Sequence, residues 1–412
     1  MKKRLPDSCI ETDVVVIGGG LVGATLACGL GAHGIETVVI DQAALVDKDA
    51  PDFDGRSSAV AHTSKVAMDG IGLWNLIADQ TQPINEIRVS DGPSLAFLHF
   101  DHMDLGDQPL GYMVENRTLR SGLLRLMSQT KGVKIMAPEH VVESARESTY
   151  ATVTLGSGKI IRCRLIAACD GRRSATRGAA GINVTSWTYN QHSIVTTIEH
   201  QRDHNGIAHE RFLPSGPFAI LPLRGGHQSS LVWTEKSSLV RAFTALDDDM
   251  FLAEIGERVG GFLGKLRLIG PRYSYPLGLQ VAERYTDKRL VLVGDAAHGI
   301  HPIAGQGLNL GLRDVAALID VLVHAKRYGL DFADNVGLTR YQRWRRADNL
   351  LMAGATDVLN RLFSNDAPPM RLARTLGLAA VNKLSPIKHA FMRHAMGQVG
   401  DLPKLMRGET PG

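Results

Sequence analysis

Apolar positions along the chain follow two textures that interleave. In the first, short aliphatic and β-branched runs stand between glycines and acidic residues: Asp13-Val-Val-Val-Ile17, Thr37-Val-Val-Ile40, Ile160 to Ala168 and Leu290 to Val293. Each predicts a short strand. Helical patterns follow them, through Leu26, Leu30 and Ala32, from Leu119 to Met127, and through Leu308, Leu312, Val315 and Leu318. In the second texture apolar and polar residues alternate, from Ile84 to Phe100 around the turn Asp91-Gly92-Pro93, and again over much of Ser193 to Pro276. Alternation predicts strands of a different, more antiparallel sheet. Val133-Lys-Ile and Ala151 to Leu155 predict further strands, and Asp248 to Val259 a helix. Asp54-Gly-Arg56-Ser-Ser-Ala-Val-Ala is expected to begin a helix, and residues beyond Arg340 to form amphipathic helices interrupted at Pro368-Pro369 and Pro386.

The expected architecture is therefore α/β and discontinuous. Residues 1–83, 110–185 and 277–340 form one Rossmann-like domain, residues 84–109 and 186–276 a mixed or antiparallel sheet on the substrate side, and residues 341–412 a helical region. A length of 412 residues agrees, being too great for one compact core. With 44% hydrophobic and 21% charged residues, and no window near 18 consecutive apolar residues, a soluble cytoplasmic protein is expected. Cys9, Cys28, Cys163 and Cys169 lack metal-ligand spacing and are assigned no chemistry. The net charge of +4 is modest and no nucleic-acid partner is expected, but the charge is uneven. From Arg340 onward there are twelve Lys and Arg against five Asp and Glu, a local +7 that leaves −3 for the rest.

Three motifs refine this picture. Gly18-x-Gly20-x-x-Gly23 follows a predicted strand and opens a predicted helix, and Asp41 ends the next strand a little over 20 residues on. In that context Gly18 permits a tight turn, Gly20 lets a pyrophosphate approach the amides, Gly23 lets helix and strand pack, and Asp41 can accept from a ribose hydroxyl. Cys169-Asp170-Gly171, with Ser174 and Arg177 beyond, is a second acidic strand end. Gly294-Asp295-Ala-Ala-His298, with Pro302, Gly305 and Gly307 before a helix, is the third; taken alone, it favours a nucleotide site, with an ordinary strand-loop-helix crossover the alternative. Arg56 could reach an anionic phosphate or be a solvated arginine at a helix start. His298 and His301 lack a third ligand, so no metal is expected; a structural role is favoured for both, with His301 as a hydrogen-bonder to substrate the alternative.

In chain order the three motifs resemble those of the class A flavoprotein aromatic hydroxylases with the p-hydroxybenzoate hydroxylase fold. Leu110-Gly-Tyr-Met-Val-Glu-Asn116, Trp187-x-Tyr189-x-Gln191, Gly216-Pro-x-Ala-x-Leu-Pro222, His301-Pro302-x-Ala-Gly-Gln306-Gly-Leu-Asn309 and Ala395-Met-Gly-x-x-Gly400-x-Leu-Pro403 are similar to one branch, the ubiquinone-biosynthesis monooxygenases. The resemblance runs from Asp13 to Gly408. It implies an FAD-binding domain in which Gly18, Gly20 and Gly23 meet the pyrophosphate, Asp41 the adenosine ribose, and Asp295 the ribityl chain. Arg56 and Asn116 would lie near the flavin, with Gly294, Gly305, Gly307 and Asn309 in the loop around it. Asp170-Gly171 would serve both FAD and the nicotinamide donor; Cys169 departs from the family's usual alanine there.

The implied chemistry is oxygen insertion into an aromatic ring through a flavin C4a-hydroperoxide, with O2 as co-substrate. The wall at the flavin face would be Pro302, Gly305 and Gln306, with His301 nearby. No second dinucleotide motif is present, so NAD(P)H would act transiently or through a reductase. A polyprenylated aromatic is the implied substrate, although a soluble aromatic, or a silent flavoprotein scaffold, fits the same motifs. Arg343, Arg345, Arg346, Leu350, Leu351, Leu359, Leu362, Phe363, Lys383, Lys388, Phe391 and Met392 could form a basic amphipathic surface for the membrane or a partner of ubiquinone biosynthesis; a solvated face is the plain alternative.

Overall fold

The computed structural model describes residues 9–44, 55–92, 97–301, 303–364, 381 and 384–412. Its first sheet runs in the order Thr286–Asp287, Leu290–Leu292, Ile160–Ala168, Ile10–Ile17, Thr37–Ile40, Val133–Met136. Four neighbouring pairs are parallel, from Leu290–Leu292 across to Val133–Met136. Ala151–Leu155 and Val141–Arg146 extend the sheet antiparallel from Ile160–Ala168.

Parallel strands need covered faces, and the helices supply the cover. Helix Leu21–Ala32 is apolar nearly all round, with Leu26, Ala27, Cys28 and Leu30 buried. It is sandwiched between the sheet and helices Asn116–Gln129 and Gln306–Arg327.

The second sheet has the order His298–Gly299, Leu266–Ala282, Val184–His200, Gln228–Lys236, Gly216–Leu223, Ile207–Leu213, Glu86–Asp91, Phe97–Asp101. It is antiparallel except where Ile207–Leu213 meets Glu86–Asp91. One face carries Ile194, Ile198, Phe218, Ile220, Leu231 and Trp233 beneath helices Ser237–Thr244 and Asp248–Val259. A third, small sheet, Ser57–Ala61, Gly111–Glu115 and Gln82–Ile84, links the two.

The expected α/β class with interleaved sheets is therefore present. Two expectations fail. Ser57–Ala61 is a strand rather than the start of a helix; the helix begins at His62. Its partners are distant in sequence: it pairs with Gly111–Glu115, and the Asn309 amide bonds Ala61 N at 2.9 Å and Ala59 O at 2.8 Å. Phe363 and Met392, grouped by sequence with a basic amphipathic surface, are buried in the core, and so, wholly, is Arg345. It lies on the continuous helix Asn335–Phe363. Pro368-Pro369 and Lys383 lie outside the described residues, whereas Pro386 sits in the first turn of helix Ser385–Ala395, where a missing N–H costs nothing.

Candidate flavin site at the strand ends

Three loops leave the carboxyl ends of adjacent parallel strands and meet. Backbone bonds carry the register across them: Gly18 N to Ile40 O at 2.8 Å, Cys169 N to Ile17 O at 2.8 Å, and Val293 N to Ala168 O at 3.0 Å. Open α/β sheets bind their ligands in this position, outside the carboxyl edge.

The glycines of the first loop have separate reasons. Gly18 has φ +101°, which side chains rarely adopt, and a Cβ there would lie 2.4 Å from Cys169 O. The first and second loops thus touch through bare backbone. A Cβ on Gly23 would lie 1.9 Å from Gly18 O, so this residue keeps the loop closed on its own helix. Gly20, at the N-cap of helix Leu21–Ala32, would point a Cβ into open space with nothing within 4 Å. Its surroundings are an open cradle at a helix N-terminus, suited to an anion.

The acidic strand ends differ in what they already hold. Asp41 takes Gly19 N at 2.6 Å and Ala43 N at 2.8 Å. Asp170 takes the Ser174 hydroxyl and Thr176 N, at 2.5 and 3.0 Å. Asp41 therefore ties the glycine loop to its own turn, and Asp170 shapes its own loop. Asp295 has no hydrogen-bond partner among the described residues. Its surface is open to solvent while protein crowds it at longer range, as for a group on a cleft floor. That crowding raises its pKa, opposed by His298, Arg172 and Arg56. Arg56 is exposed, its guanidinium 5.2 Å from the centre of the Tyr275 ring.

Arg177 ties the second loop to the third, donating to Ala296 O at 2.9 Å and Arg172 O at 3.0 Å. Asn116 is buried at the start of its helix and accepts from the Ser58 hydroxyl at 2.7 Å. Gly171 would aim a Cβ at open space, as would Gly307, whereas a Cβ on Gly294 would press on Val22 at 3.1 Å. Gly305 caps helix Gln306–Arg327 with φ +63°, and a Cβ there would meet Ala59 at 3.1 Å. Gln306 is buried beside it. Asn309 is not brought to the cradle through its side chain, which is occupied by the Ser57–Ala61 strand. Pro302 lies outside the described residues.

The two histidines part company. His298 Nε2 bonds Asp314 Oδ2 at 2.6 Å, so it belongs to the scaffold. His301 is fully buried with neither ring nitrogen bonded, its ring edge-on to Tyr189 at 5.1 Å. Burial pushes its pKa down to about 4, against the pull of Asp357, so the ring is a neutral donor and acceptor. Tyr189 in turn donates to Asp357 at 3.0 Å.

Sequence reasoning missed the buried ionic knot behind the third loop. Asp314 accepts from Gly294 N at 3.0 Å and from Arg345 Nε at 2.8 Å, and Arg345 reaches Asp348 at 2.7 Å. Asp314 and Arg345 are both 0% exposed. An ionisable residue within the apolar stripe of Leu310, Leu318 and their neighbours was the available signal. Burial works to raise the Asp314 pKa, but His298 and Arg345 outweigh it and hold it at about 2. The described residues of this region hold no metal cluster. The one metal-capable group among all the described residues, Glu86, His99 and Asp101, lies on the outer strands of the second sheet, and there Glu86 is already paired with Arg88 at 2.8 Å. Cys28 and Cys163 are buried free thiols pushed up to about 12, and burial raises Cys169 as well, leaving all three inert.

Comparisons with known proteins identify the family. The FAD binding domain family matches residues 11–349. Ubiquinone hydroxylase UbiL of Rhodospirillum rubrum is 50% identical over 96% of this chain and 92% of its own. The 3-demethoxyubiquinol 3-hydroxylase of Escherichia coli is 35% identical over 94% and 98%. In structure, p-nitrophenol 4-monooxygenase PnpA from Pseudomonas putida shares the fold at a TM-score of 0.78, with 21% identity over 94% of this chain and 98% of the other. The chain belongs to the FAD binding domain family, among the flavoprotein monooxygenases that include the ubiquinone-biosynthesis hydroxylases.

Proposed function

We propose that this chain hydroxylates the aromatic ring of a polyprenylated phenol on the route to ubiquinone, using FAD and O2. The observation that carries the reading is the convergence of the three loops on one cradle, left open at Gly20, Gly171 and Gly307, with Asp295 unbonded on its floor. The residues fit the cofactor: backbone at Gly18 to Gly23 for the pyrophosphate, Asp41 for the adenosine ribose, Asp295 for the ribityl chain, Arg56 for a phosphate, and Asp170-Gly171 and Asn116 at the loop rims. Reduced FAD supplies the chemistry, activating O2 so that one oxygen atom enters an electron-rich ring and the other leaves as water.

The chain's own work is to position the ring and keep the chamber dry. The amides after Gly305 stand at the N-terminus of the 22-residue helix Gln306–Arg327, which supports a role in stabilising negative charge on the cofactor face. Gly305 and Gln306 form the wall there, and neutral His301 is available to hydrogen-bond a substrate oxygen. NAD(P)H, bound transiently or acting through a reductase, is the proposed donor. The substrate's polyprenyl chain places it in a bilayer, and exposed Leu350, Leu351, Val358 and Phe391 support peripheral contact with a membrane surface. No helix among the described residues is long and apolar enough to cross a membrane.

The test is oxygen-isotope incorporation. FAD-loaded protein, given a reductant, 18O2 and a prenylated phenol, is expected to yield a ring-hydroxylated product carrying one 18O. Flavin reoxidation that produces only hydrogen peroxide, with every prenylated phenol tried, would overturn the reading.

A further inference from the structure

Glu210 lies on strand Ile207–Leu213, and the structure fixes which way it faces. Its neighbours His209 and Arg211 point to the helix-covered side, His209 against the Phe262 ring at 4.5 Å and Arg211 donating to Arg258 O. Strand alternation therefore turns Ala208, Glu210 and Phe212 to the opposite face. Ala208 packs there with Ile84 and Met113, against Ala59, and Phe212 stacks on Phe363 with ring centres 3.9 Å apart. Ala59 is also the residue that a Cβ on Gly305 would touch.

In-register pairing draws a row across the sheet on this face, from Val89 through Glu210, Ala219, Val232 and Val195 to Tyr273. Tyr275, two residues further along its strand, lies under Arg56. So the face bearing Glu210 spans the distance between the Gly305 loop and the Arg56 loop.

The carboxylate has no partner among the described residues. Its cross-strand neighbours are Ala219 and Val89, and the elements opposite present Ala59, Ile84, Met113 and Phe363, all uncharged. The one other ionisable side chain on this face of the flanking strands is Asp91, two positions beyond Val89, and it does not perturb Glu210. Burial alone raises the Glu210 pKa, to about 7. Its surface is nonetheless partly open, as for a group lining an enclosed chamber. The same face holds a second sign of a polar ligand: the hydroxyls of Ser193, Thr197, Ser230 and Thr234 are buried without partners among the described residues. A buried acceptor left unmade is costly unless something meets it.

We propose that Glu210 contacts the substrate, accepting the hydrogen bond of the ring hydroxyl and thereby fixing which ring edge faces the Gly305 loop. The proposal rests on the phenol-hydroxylase reading above and adds a residue that selects for the phenol group. A site built around such an acceptor discriminates strongly against an analogue lacking the hydroxyl proton.

The test compares 2-pentylphenol with its methyl ether, 2-pentylanisole, as ligands of the FAD-loaded protein, with binding followed by perturbation of flavin absorbance. At pH 8.5 the wild type is expected to prefer the phenol roughly tenfold or more, as a charge-assisted hydrogen bond would give. Glu210→Leu should lose the preference while keeping its flavin, and Glu210→Gln, which retains an acceptor oxygen, should keep part of it. In the wild type itself the preference should fall as pH drops through 7, where the carboxylate becomes protonated; in Glu210→Gln it should stay flat. That pH comparison holds even if the leucine variant does not fold. An undiminished preference in Glu210→Leu, or a wild-type preference independent of pH, would overturn the role of Glu210 and leave the hydroxylase reading standing. Binding of neither ligand by the wild type would overturn both.

Discussion

At the scale of single residues, the glycines of the first loop divide into those the fold needs and one that it does not. Gly23 is blocked by the Gly18 carbonyl 1.9 Å from where a Cβ would stand; Gly20 is blocked by nothing within 4 Å and has an ordinary φ of −66°. Gly20→Val should therefore fold with stability within about 0.5 kcal/mol of wild type, as an unobstructed substitution does. Its branched side chain would fill the cradle, so the purified protein should be colourless. Gly23→Ala should do the reverse, losing about 1–3 kcal/mol to overpacking against backbone that cannot move aside. Thermal melts and flavin absorbance on both variants separate the two jobs. Full flavin occupancy in Gly20→Val would remove pyrophosphate approach as the reason for a glycine there.

Between elements, the decisive contact is the buried knot around Asp314, which joins helix Gln306–Arg327 to helix Asn335–Phe363 and pins Gly294 at the end of its strand. Removing one member of a buried, hydrogen-bonded pair leaves an uncompensated charge and costs about 3–5 kcal/mol. Asp314→Asn should lose stability of that order, read from urea-unfolding midpoints. The pH dependence follows from the direction of the shift. The folded-state pKa, about 2, lies below the ordinary 3.8, so the stabilisation is complete above roughly pH 4 and fades as pH falls towards 2. Wild type should lose stability through that window more steeply than Asp314→Asn; parallel curves would mean that Asp314 contributes no charge to the knot. This knot also marks the limit of what sequence reveals. The strands at Ile160 to Ala168 and Leu290 to Leu292 and the helix Asp248–Val259 were legible because their apolar periodicity is local. The strand Ser57–Ala61 was not, because Asn309, 248 residues beyond Ala61, holds it. Arg345 looked like surface charge because its partner Asp314 lies 31 residues away. The motif glycines and acids were legible as strand ends, but not that Asp41 accepts from Gly19 and Ala43, or Asp170 from Ser174 and Thr176.

For the molecule as a whole, the proposed polyprenylated substrate would have to be met at a membrane surface. The local charge of +7 beyond residue 339 is smaller in effect than it looks, since Arg345 is buried and Lys388 pairs with Asp104 at 2.6 Å. Exposed apolar side chains accompany the remaining basic ones: Leu351 is 70% exposed on helix Asn335–Phe363, and Phe391 is 49% exposed on helix Ser385–Ala395. Interfacial binding combines such side chains with attraction to anionic lipid, and each large apolar group inserted contributes about 1.5–3 kcal/mol. If these helices rest on the bilayer, apolar contact should dominate. The protein should then sediment with phosphatidylcholine vesicles containing phosphatidylglycerol and be only partly released by salt. The double variant Leu351→Glu, Phe391→Glu should remain in the supernatant while binding flavin and hydroxylating a short-chain phenol as well as wild type. Sedimentation unchanged in the double variant would exclude these two side chains as the membrane contact, and complete release of the wild type by salt would assign the attraction to the remaining basic residues instead.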